Sequence, residues 1–234
     1  MNIALLGYGR MGKSIESIAL ERGHKIVLKV NSDSDAMDFS DTDVAIDFSL
    51  PSTAVANITA ALQANIPVIS GTTGWLEHYD KVVELCKEKQ GSFIYASNFS
   101  LGVNLFFELN RKLSTLMKDF KAYDVAIEEI HHTQKLDAPS GTAITLAKDI
   151  IETSHYSNWV LDAKGNSDNL PITAKRIKNV PGTHKVTYNS DIDAISIEHV
   201  AHNRKGFALG AVIAAEWLKD KKGIYTMKDV LNIG

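Results

Sequence analysis

Asn2-Ile3-Ala4-Leu5-Leu6-Gly7-Tyr8-Gly9-Arg10-Met11-Gly12 opens this chain with a short apolar strand, a turn with glycines at 7, 9 and 12, and the start of a helix over residues 11–21. Glycines at that spacing let a backbone approach a pyrophosphate closely. The helix that follows turns its unpaired N–H groups and the positive end of its dipole toward the same place. Gly7, Tyr8, Gly9, Arg10, Met11 and Gly12 are therefore candidate dinucleotide contacts, with Arg10 offering a cation to a phosphate. The bland alternative is a tight strand-to-helix turn with no ligand.

Outward from that turn, the first hundred residues alternate between strands and helices. Gly23 stops the first helix, and residues 25–30 form a second strand. Residues 44–48 form a third, Pro51 opens a helix to about residue 64, residues 67–70 form a fourth strand, a helix covers about 76–89, and residues 92–95 form a fifth strand. Short apolar strands separated by helices imply a Rossmann-type, doubly wound parallel sheet in an α/β chain. Ligands of such sheets bind beyond the carboxyl ends of the strands. Two further strands end there in Asp47-Phe48-Ser49 and Gly71-Thr72-Thr73-Gly74. Phe48 offers a flat apolar surface to a nicotinamide, and Gly71 and Thr73 offer hydrogen bonds to its carboxamide. Gly-Thr-Thr-Gly also reads as an ordinary turn. A NAD site commonly has Asp or Glu after the second strand, where this chain has Val30-Asn31-Ser32-Asp33. Asn31 can bind a ribose hydroxyl without repelling a 2′-phosphate, so NADH and NADPH both remain open.

The pattern changes after a helix near residues 102–117. Longer alternating segments at 123–131, 173–178, 185–189 and 194–201 surround a helix at about 140–152. They imply a second, α+β domain built on a mainly antiparallel sheet. A helix over residues 207–218 is expected to return to the first domain. The domains are then 1–99 plus 208–234, and 100–207. The crossings and hinge fall near 99–102 and 204–207, and the domains are expected to close over both ligands. Residues 166–169 read as a solvated loop.

Bulk properties exclude several classes. The 234 residues suffice for one large or two modest domains, and a net charge of −3 gives no reason to expect nucleic acid or a membrane surface as partner. The single cysteine, Cys86, excludes an intramolecular disulfide and disfavours a cysteine metal site. No apolar run approaches the ~18 residues of a membrane-spanning helix. The first residues form no basic leader segment. The expected location is the cytoplasm.

The chemistry is concentrated in Glu129-Ile130-His131-His132-Thr133-Gln134-Lys135-Leu136-Asp137-Ala138-Pro139-Ser140-Gly141-Thr142-Ala143. Ser140-Gly141-Thr142 should open a helix whose first N–H groups suit a carboxylate. His131 and Lys135 fall at a strand end and in the following loop, near that anion site. Histidine is the usual general acid near neutral pH, and lysine holds an anion or donates a proton. Taken alone, His131-His132 reads first as a surface loop or as imidazoles hydrogen-bonded within a core, ahead of a catalytic pair. A zinc site lacks a third clear ligand, and no metal is expected.

That stretch closely resembles the signature of the 4-hydroxy-tetrahydrodipicolinate reductase family, Glu-x-His-His-x-x-Lys-x-Asp-Ala-Pro-Ser-Gly-Thr-Ala. The resemblance spans the chain. It includes Gly-x-Gly-Arg-Met-Gly at 7–12, Asp-Phe-Ser at 47–49, Gly-Thr-Thr-Gly at 71–74, Ser97-Asn98-Phe99-Ser100-Leu101-Gly102-Val103-Asn104 and Phe207-Ala208-Leu209-Gly210-Ala211. The resemblance implies a reductase of lysine and diaminopimelate biosynthesis. NADPH or NADH delivers hydride to carbon 4 of a cyclic imine dicarboxylate, water is lost, and tetrahydrodipicolinate forms. It implies His131 as general acid with Lys135 as its partner, His132 lining the substrate pocket, and Ser140, Gly141 and Thr142 binding one carboxylate. It implies dinucleotide contacts from Gly7, Arg10, Met11, Phe48, Ser49, Gly71, Thr72, Thr73, Ala96, Ser97, Asn98 and Phe99, and a homotetramer joined through the second domain's sheet. The turn at 7–12 is one residue shorter than in many members, and Asn31-Ser32 replaces the Glu-Arg pair common there. Two rivals share the glycine turn. Another two-domain Rossmann dehydrogenase gives no reason for His131, Lys135 and the Ser140 turn to occur together, and a dinucleotide sensor needs no proton donor.

Overall fold

The computed structural model describes residues 1–31, 37–164, 168–203 and 205–233. Ser32, Asp33 and Arg204, which bear on the readings above, lie outside them. The chain forms two compact units, residues 1–101 with 205–234, and residues 102–204.

The elements run in order β1 (Asn2–Leu6), α1 (Arg10–Glu21), β2 (Lys25–Val30), β3 (Val44–Asp47), α2 (Pro51–Gln63), β4 (Val68–Ser70), α3 (Tyr79–Glu88), β5 (Ser92–Tyr95) and α4 (Leu101–Met117). They continue through β6 (Asp124–His131), α5 (Gly141–Ile151), β7 (Asn158–Leu161), β8 (Asn169–Arg176), β9 (Gly182–Asn189) and β10 (Ala194–Ala201). The chain ends with α6 (Lys205–Leu218), β11 (Gly223–Tyr225) and α7 (Met227–Leu231).

In the first unit six parallel strands are ordered β11-β5-β4-β3-β1-β2. Successive side chains point to opposite faces, and the register keeps each set together. Ile3, Leu5, Val44, Ile46, Ile69 and Ile94 meet α1, α6 and Met227 on one face. Ala4, Leu6, Ala45, Val68 and Phe93 meet α2, α3 and Trp75 on the other. Both faces of β1, β3, β4 and β5 are buried, which is why these strands are almost wholly apolar, whereas the edge strand β2 carries Lys25 and Lys29. Strand order reverses between β1 and β3, so the glycine turn after β1 and Asp47-Phe48-Ser49 after β3 flank the switch point.

The second sheet is ordered β10-β9-β6-β8-β7 and is mixed rather than mainly antiparallel. β9 runs antiparallel to β6 and β10, whereas β6, β8 and β7 run parallel. The cause is α5, which carries the chain back to the starting edge after β6, so that the next strands repeat its direction. β7 and β11 are strands beyond the sequence reading, and Asn169 opens β8 instead of closing a loop. On the covered face of this sheet Val125, Ile127, Ile172, Val186 and Tyr188 pack against Phe106 of α4 and Ala143, Leu146, Ala147 and Ile150 of α5.

α6 starts two residues before its sequence-predicted beginning and carries seven buried residues, including Gly210. A Cβ at Gly210 would stand 1.7 Å from the Phe99 carbonyl oxygen. Alanine normally stabilises a helix interior relative to glycine by roughly 1 kcal/mol. Here the clash reverses the sign, and Gly210→Ala should cost at least about 2 kcal/mol, read as a lower urea midpoint. A variant as stable as the wild type would contradict this packing.

Candidate functional site

The candidate residues fall into two sets, one in each unit. In the first unit, backbone bonds continue the strand ladder past the carboxyl ends. Gly7 N donates to Val30 O, Phe48 N to Leu6 O, Gly71 N to Asp47 O, and Ala96 N to Ser70 O. The turns at 7–12, 48–49, 71–73 and 96–98 therefore follow neighbouring strand ends along one edge.

The glycine turn has the shape a dinucleotide needs. Gly7 has φ +100, and a Cβ there would stand 2.2 Å from Phe48 O. Gly12 packs on Gly7, where a Cβ would lie 2.3 Å from Gly7 O. Gly9 is exposed, and nothing lies within 4 Å of where its Cβ would point. Gly9 caps α1 without a side-chain acceptor, so the cap offers no side-chain partner to the first amides of the helix, at Arg10, Met11 and Gly12. These residues fit a pyrophosphate.

Tyr8 points elsewhere. Its hydroxyl donates to Glu16, Lys29 Nζ lies 2.7 Å from Glu16 Oε1, and the same ammonium stands 4.6 Å from the Tyr8 ring centroid. Lys29 holds the Glu16 carboxyl below its usual range. Sequence reasoning named Arg10 as the nearest cation and missed Lys29, two residues before the exposed Asn31.

Phe48 is half-buried, with its ring against Gly71, where a Cβ would lie 2.3 Å from the ring, and 5.7 Å from the buried Phe99 ring. Beneath them Asp47 is wholly buried. Its Oδ1 accepts from Ser49 Oγ at 2.6 Å and Asn57 Nδ2 at 3.3 Å, and its Oδ2 accepts from Ser70 Oγ at 2.7 Å. Burial raises the Asp47 carboxyl, and these hydroxyl and amide donors oppose the rise. Thr72 is buried and accepts from Ser49 N at 2.8 Å, while its carbonyl accepts from Trp75 Nε1. Thr73 and Ser97 are exposed, and Ala96 and Asn98 are half-buried. Ser49, Thr72 and Phe99 thus brace the turns, whereas Gly9, Arg10, Asn31, Thr73 and Ser97 face solvent.

In the second unit the covered face of the sheet changes character along its strands. The apolar row of Ile127, Ile172, Val186 and Ile197 is followed by Glu129, Ala174, His184 and His199, and then by His131 beside Arg176. Glu129 is fully buried. Its Oε2 accepts from Ser140 N at 2.9 Å, and Arg176 Nη1 lies 3.2 Å from its Oε1. Arg176 also donates to the carbonyls of Asp137 and Lys135. One carboxylate and one guanidinium therefore stitch the loop at 132–140 to the ends of β6 and β8. Ser140 caps α5, with Oγ accepting from Ala143 N at 3.2 Å, and is itself buried. Gly141 is exposed and Thr142 half-exposed at the helix start.

His131 Nδ1 lies 3.6 Å from Glu129 Oε2, and its ring meets the His184 ring edge-on at 5.0 Å. Gly182 makes room for it, since a Cβ there would stand 3.2 Å from His131 Nε2. Burial lowers the His131 pKa, Glu129 opposes the shift, and Lys135 and Arg176 reinforce it. His132 is half-buried. Lys135 Nζ donates to both Asp137 oxygens at 2.7–2.8 Å, and holds the Asp137 carboxyl below its usual range. His131, Lys135 and the Ser140-Gly141-Thr142 turn thus gather on one frame. Glu129, Arg176 and His184, which build that frame, had no role in the sequence reading. The quoted signature already held Glu129, but Arg176 and His184 reach it and the 132–140 segment from strands distant in sequence. Glu129, His131 and His184 each offer a ligand atom within 4.8 Å of the others. The Arg176 guanidinium and Ser140 amide already occupy the carboxylate, which opposes a second cation there.

Among known proteins, a family model described as dihydrodipicolinate reductase, N-terminus, matches residues 1–99, and one described as dihydrodipicolinate reductase, C-terminus, matches residues 102–231. A 4-hydroxy-tetrahydrodipicolinate reductase of Christiangramia forsetii is 61% identical over 235 residues, covering 99% of this chain and 98% of the relative. One of Methanosarcina barkeri is 36% identical, covering 97% of this chain and 83% of the relative. A solved structure, dipicolinate-bound dihydrodipicolinate reductase from Paenisporosarcina sp. TG-14, shares the fold with a TM-score of 0.75 at 22% identity over 97% of both chains.

The buried histidines make stability depend on pH. Burial pushes His184 down to about 3, against 6.5 for a free imidazole. Below pH 6.5 the unfolded chain takes up a proton that folded His184 refuses, so stability falls as pH falls. Between pH 6.5 and 5 this ring alone should remove about 2 kcal/mol. In urea titrations at the two pH values, His184→Leu should lose that part of the decline. An unchanged decline would show that His184 titrates freely in the folded state.

Proposed function

The chain belongs to the dihydrodipicolinate reductase family. From that membership and the geometry above, we infer that it reduces 4-hydroxy-tetrahydrodipicolinate to tetrahydrodipicolinate, using NADH or NADPH, in lysine and diaminopimelate biosynthesis. The observation that carries the assignment of roles is the start of α5, where a helix N-terminus stands beside His131 and Lys135 on the pair of buried Glu129 and half-buried Arg176.

A dicarboxylate ring needs donors that are already aligned. The amides of Gly141 and Thr142 and the Thr142 hydroxyl hold one carboxylate, aided by the helix dipole. Ser140 shapes this cradle through its cap and its bond to Glu129. Lys135, released from the exposed Asp137, binds the substrate anion, and His132 lines the pocket. The dinucleotide supplies the hydride. His131 gives the proton. In the empty site, burial and two nearby cations depress its basicity. A dianion bound beside it offsets those cations and favours the imidazolium.

In the first unit the amides after Gly9 and Arg10 hold the pyrophosphate, and Phe48, backed by Phe99 and fixed through Asp47, walls the nicotinamide position. Asn31 accepts the ribose of either dinucleotide. The location consistent with this role is the cytoplasm, and no helix among the described residues is long and apolar enough to cross a membrane. The homotetramer expected of the family would use the open face of the second sheet. That face carries a groove of about 1030 Å³ lined by Ala126, Pro171, Thr173 and Thr187, among others.

His131→Gln should lower kcat by roughly 10²–10⁴-fold while leaving NADH affinity unchanged, and Thr142→Val should raise the substrate KM with NADH affinity unchanged. Steady-state assays coupled to a synthase that supplies the substrate, with calorimetry for NADH, test both. Near-normal turnover by His131→Gln would remove His131 as the acid.

A further inference from the structure

His184 is buried, and beyond its place in the frame it has been given no part in binding a ligand. It stands in register between Glu129 and His199. Its Nε2 is 3.0 Å from Ser140 Oγ and 3.8 Å from Glu129 Oε2. Its Nδ1 is buried and has no hydrogen-bond partner among the described residues.

A neutral imidazole carries one N–H, and burial keeps this ring neutral. Two observations place that hydrogen on Nε2. The Glu129 carboxylate lies on the Nε2 side, where a hydrogen is attracted and a lone pair is repelled. The other tautomer would bury an N–H at Nδ1 with nothing to receive it, and orphaned buried N–H groups are rarer than under-used acceptors.

The Ser140 hydroxyl then has its acceptor capacity filled. One lone pair receives Ala143 N–H, as the helix cap requires. The other receives His184 Nε2–H. The only capacity left on the hydroxyl is its own proton, at the N-cap of α5.

We propose that His184 is a positioning residue: by donating to Ser140 Oγ from Nε2 it turns the Ser140 hydroxyl proton toward a substrate carboxylate. This deepens the cradle reading above and rests on it. Ser140 is otherwise a cap with no free donor, since its amide is held by Glu129. With His184 in this tautomer, Ser140 becomes a third donor to the anion, beside the Gly141 and Thr142 amides.

Two measurements on the full-length protein test this. Long-range ¹H–¹⁵N NMR of the folded wild type should show His184 with a protonated, pyrrole-type Nε2 and a pyridine-type Nδ1. The reverse pattern overturns the proposal without reference to any ligand. Calorimetry with pyridine-2,6-dicarboxylate should show Ser140→Ala and His184→Leu each weakening binding roughly tenfold, as expected for a lost bond to a charged group. The double variant should bind no worse than Ser140→Ala alone, because His184 acts through Ser140. His184→Gln, whose side-chain amide offers an N–H at a similar reach, should restore most of the affinity lost in His184→Leu. A full His184→Leu effect in the Ser140→Ala background overturns the proposal. Thr142→Val separates the two levels of the argument. If it and Ser140→Ala both leave dicarboxylate affinity intact, the cradle reading fails, whereas an effect of Thr142→Val without coupling between His184 and Ser140 defeats only the role of His184.

Discussion

A single carboxylate, that of Glu129, organises the second unit's site. Buried without partners it would cost several kcal/mol. It is compensated by Arg176 on one oxygen and the Ser140 amide on the other. Those same bonds fix the end of β6, the loop at 132–140 and the start of α5. The arrangement that makes the buried charge tolerable is therefore the arrangement that aims a helix N-terminus and places His131 and Lys135 beside it. Charge burial and the shape of the proposed cradle have one cause.

The first unit repeats the device with different chemistry. Asp47 is also fully buried at a strand end, and its compensation comes from the Ser49 and Ser70 hydroxyls and the Asn57 amide. These tie the turn after β3 to the end of β4, which sets Phe48 against Gly71 and Phe99. In both units a buried acid joins the loops that follow neighbouring strands, and the residues facing solvent are held by residues that do not. Loops carry the chemistry, and the scaffold beneath determines where they point.

Local pattern made much of this legible. β1 to β5 are apolar runs bounded by glycine, proline and helix signals, and the glycine spacing at 7, 9 and 12 identifies the turn because only backbone without a Cβ approaches Phe48 O and Gly7 O so closely. The chemical stretch from Glu129 to Thr142 lies on one strand, one loop and one helix start, so its residues are near in space because they are near in sequence. β7 and β11 are four and three residues long, too short to establish an alternation. The parallel pairing of β6 with β8 depends on where α5 returns the chain, which strand periodicity does not encode. Arg176 looked like an ordinary member of an alternating strand, and His184 lay just before the segment expected at 185–189, which in the structure begins at Gly182. Their importance comes from register with His131 and Glu129 across the sheet, a tertiary fact. Tyr8 and Thr72 sit within recognisable turns, yet their side chains bond inward to Glu16 and Ser49, because turn spacing specifies backbone and not side-chain direction.

The central claim is that the buried Glu129 charge holds the dicarboxylate cradle in place. Calorimetric titration of Glu129→Gln with pyridine-2,6-dicarboxylate, alongside NADH, tests it most directly. The isosteric change leaves the fold's volume intact but leaves Arg176 without its counter-charge. The account predicts that dicarboxylate binding weakens at least roughly tenfold, or about 1.4 kcal/mol, while NADH binds as in the wild type. Wild-type affinity for both ligands would show that the cradle stands without the Glu129 charge, and would contradict the account.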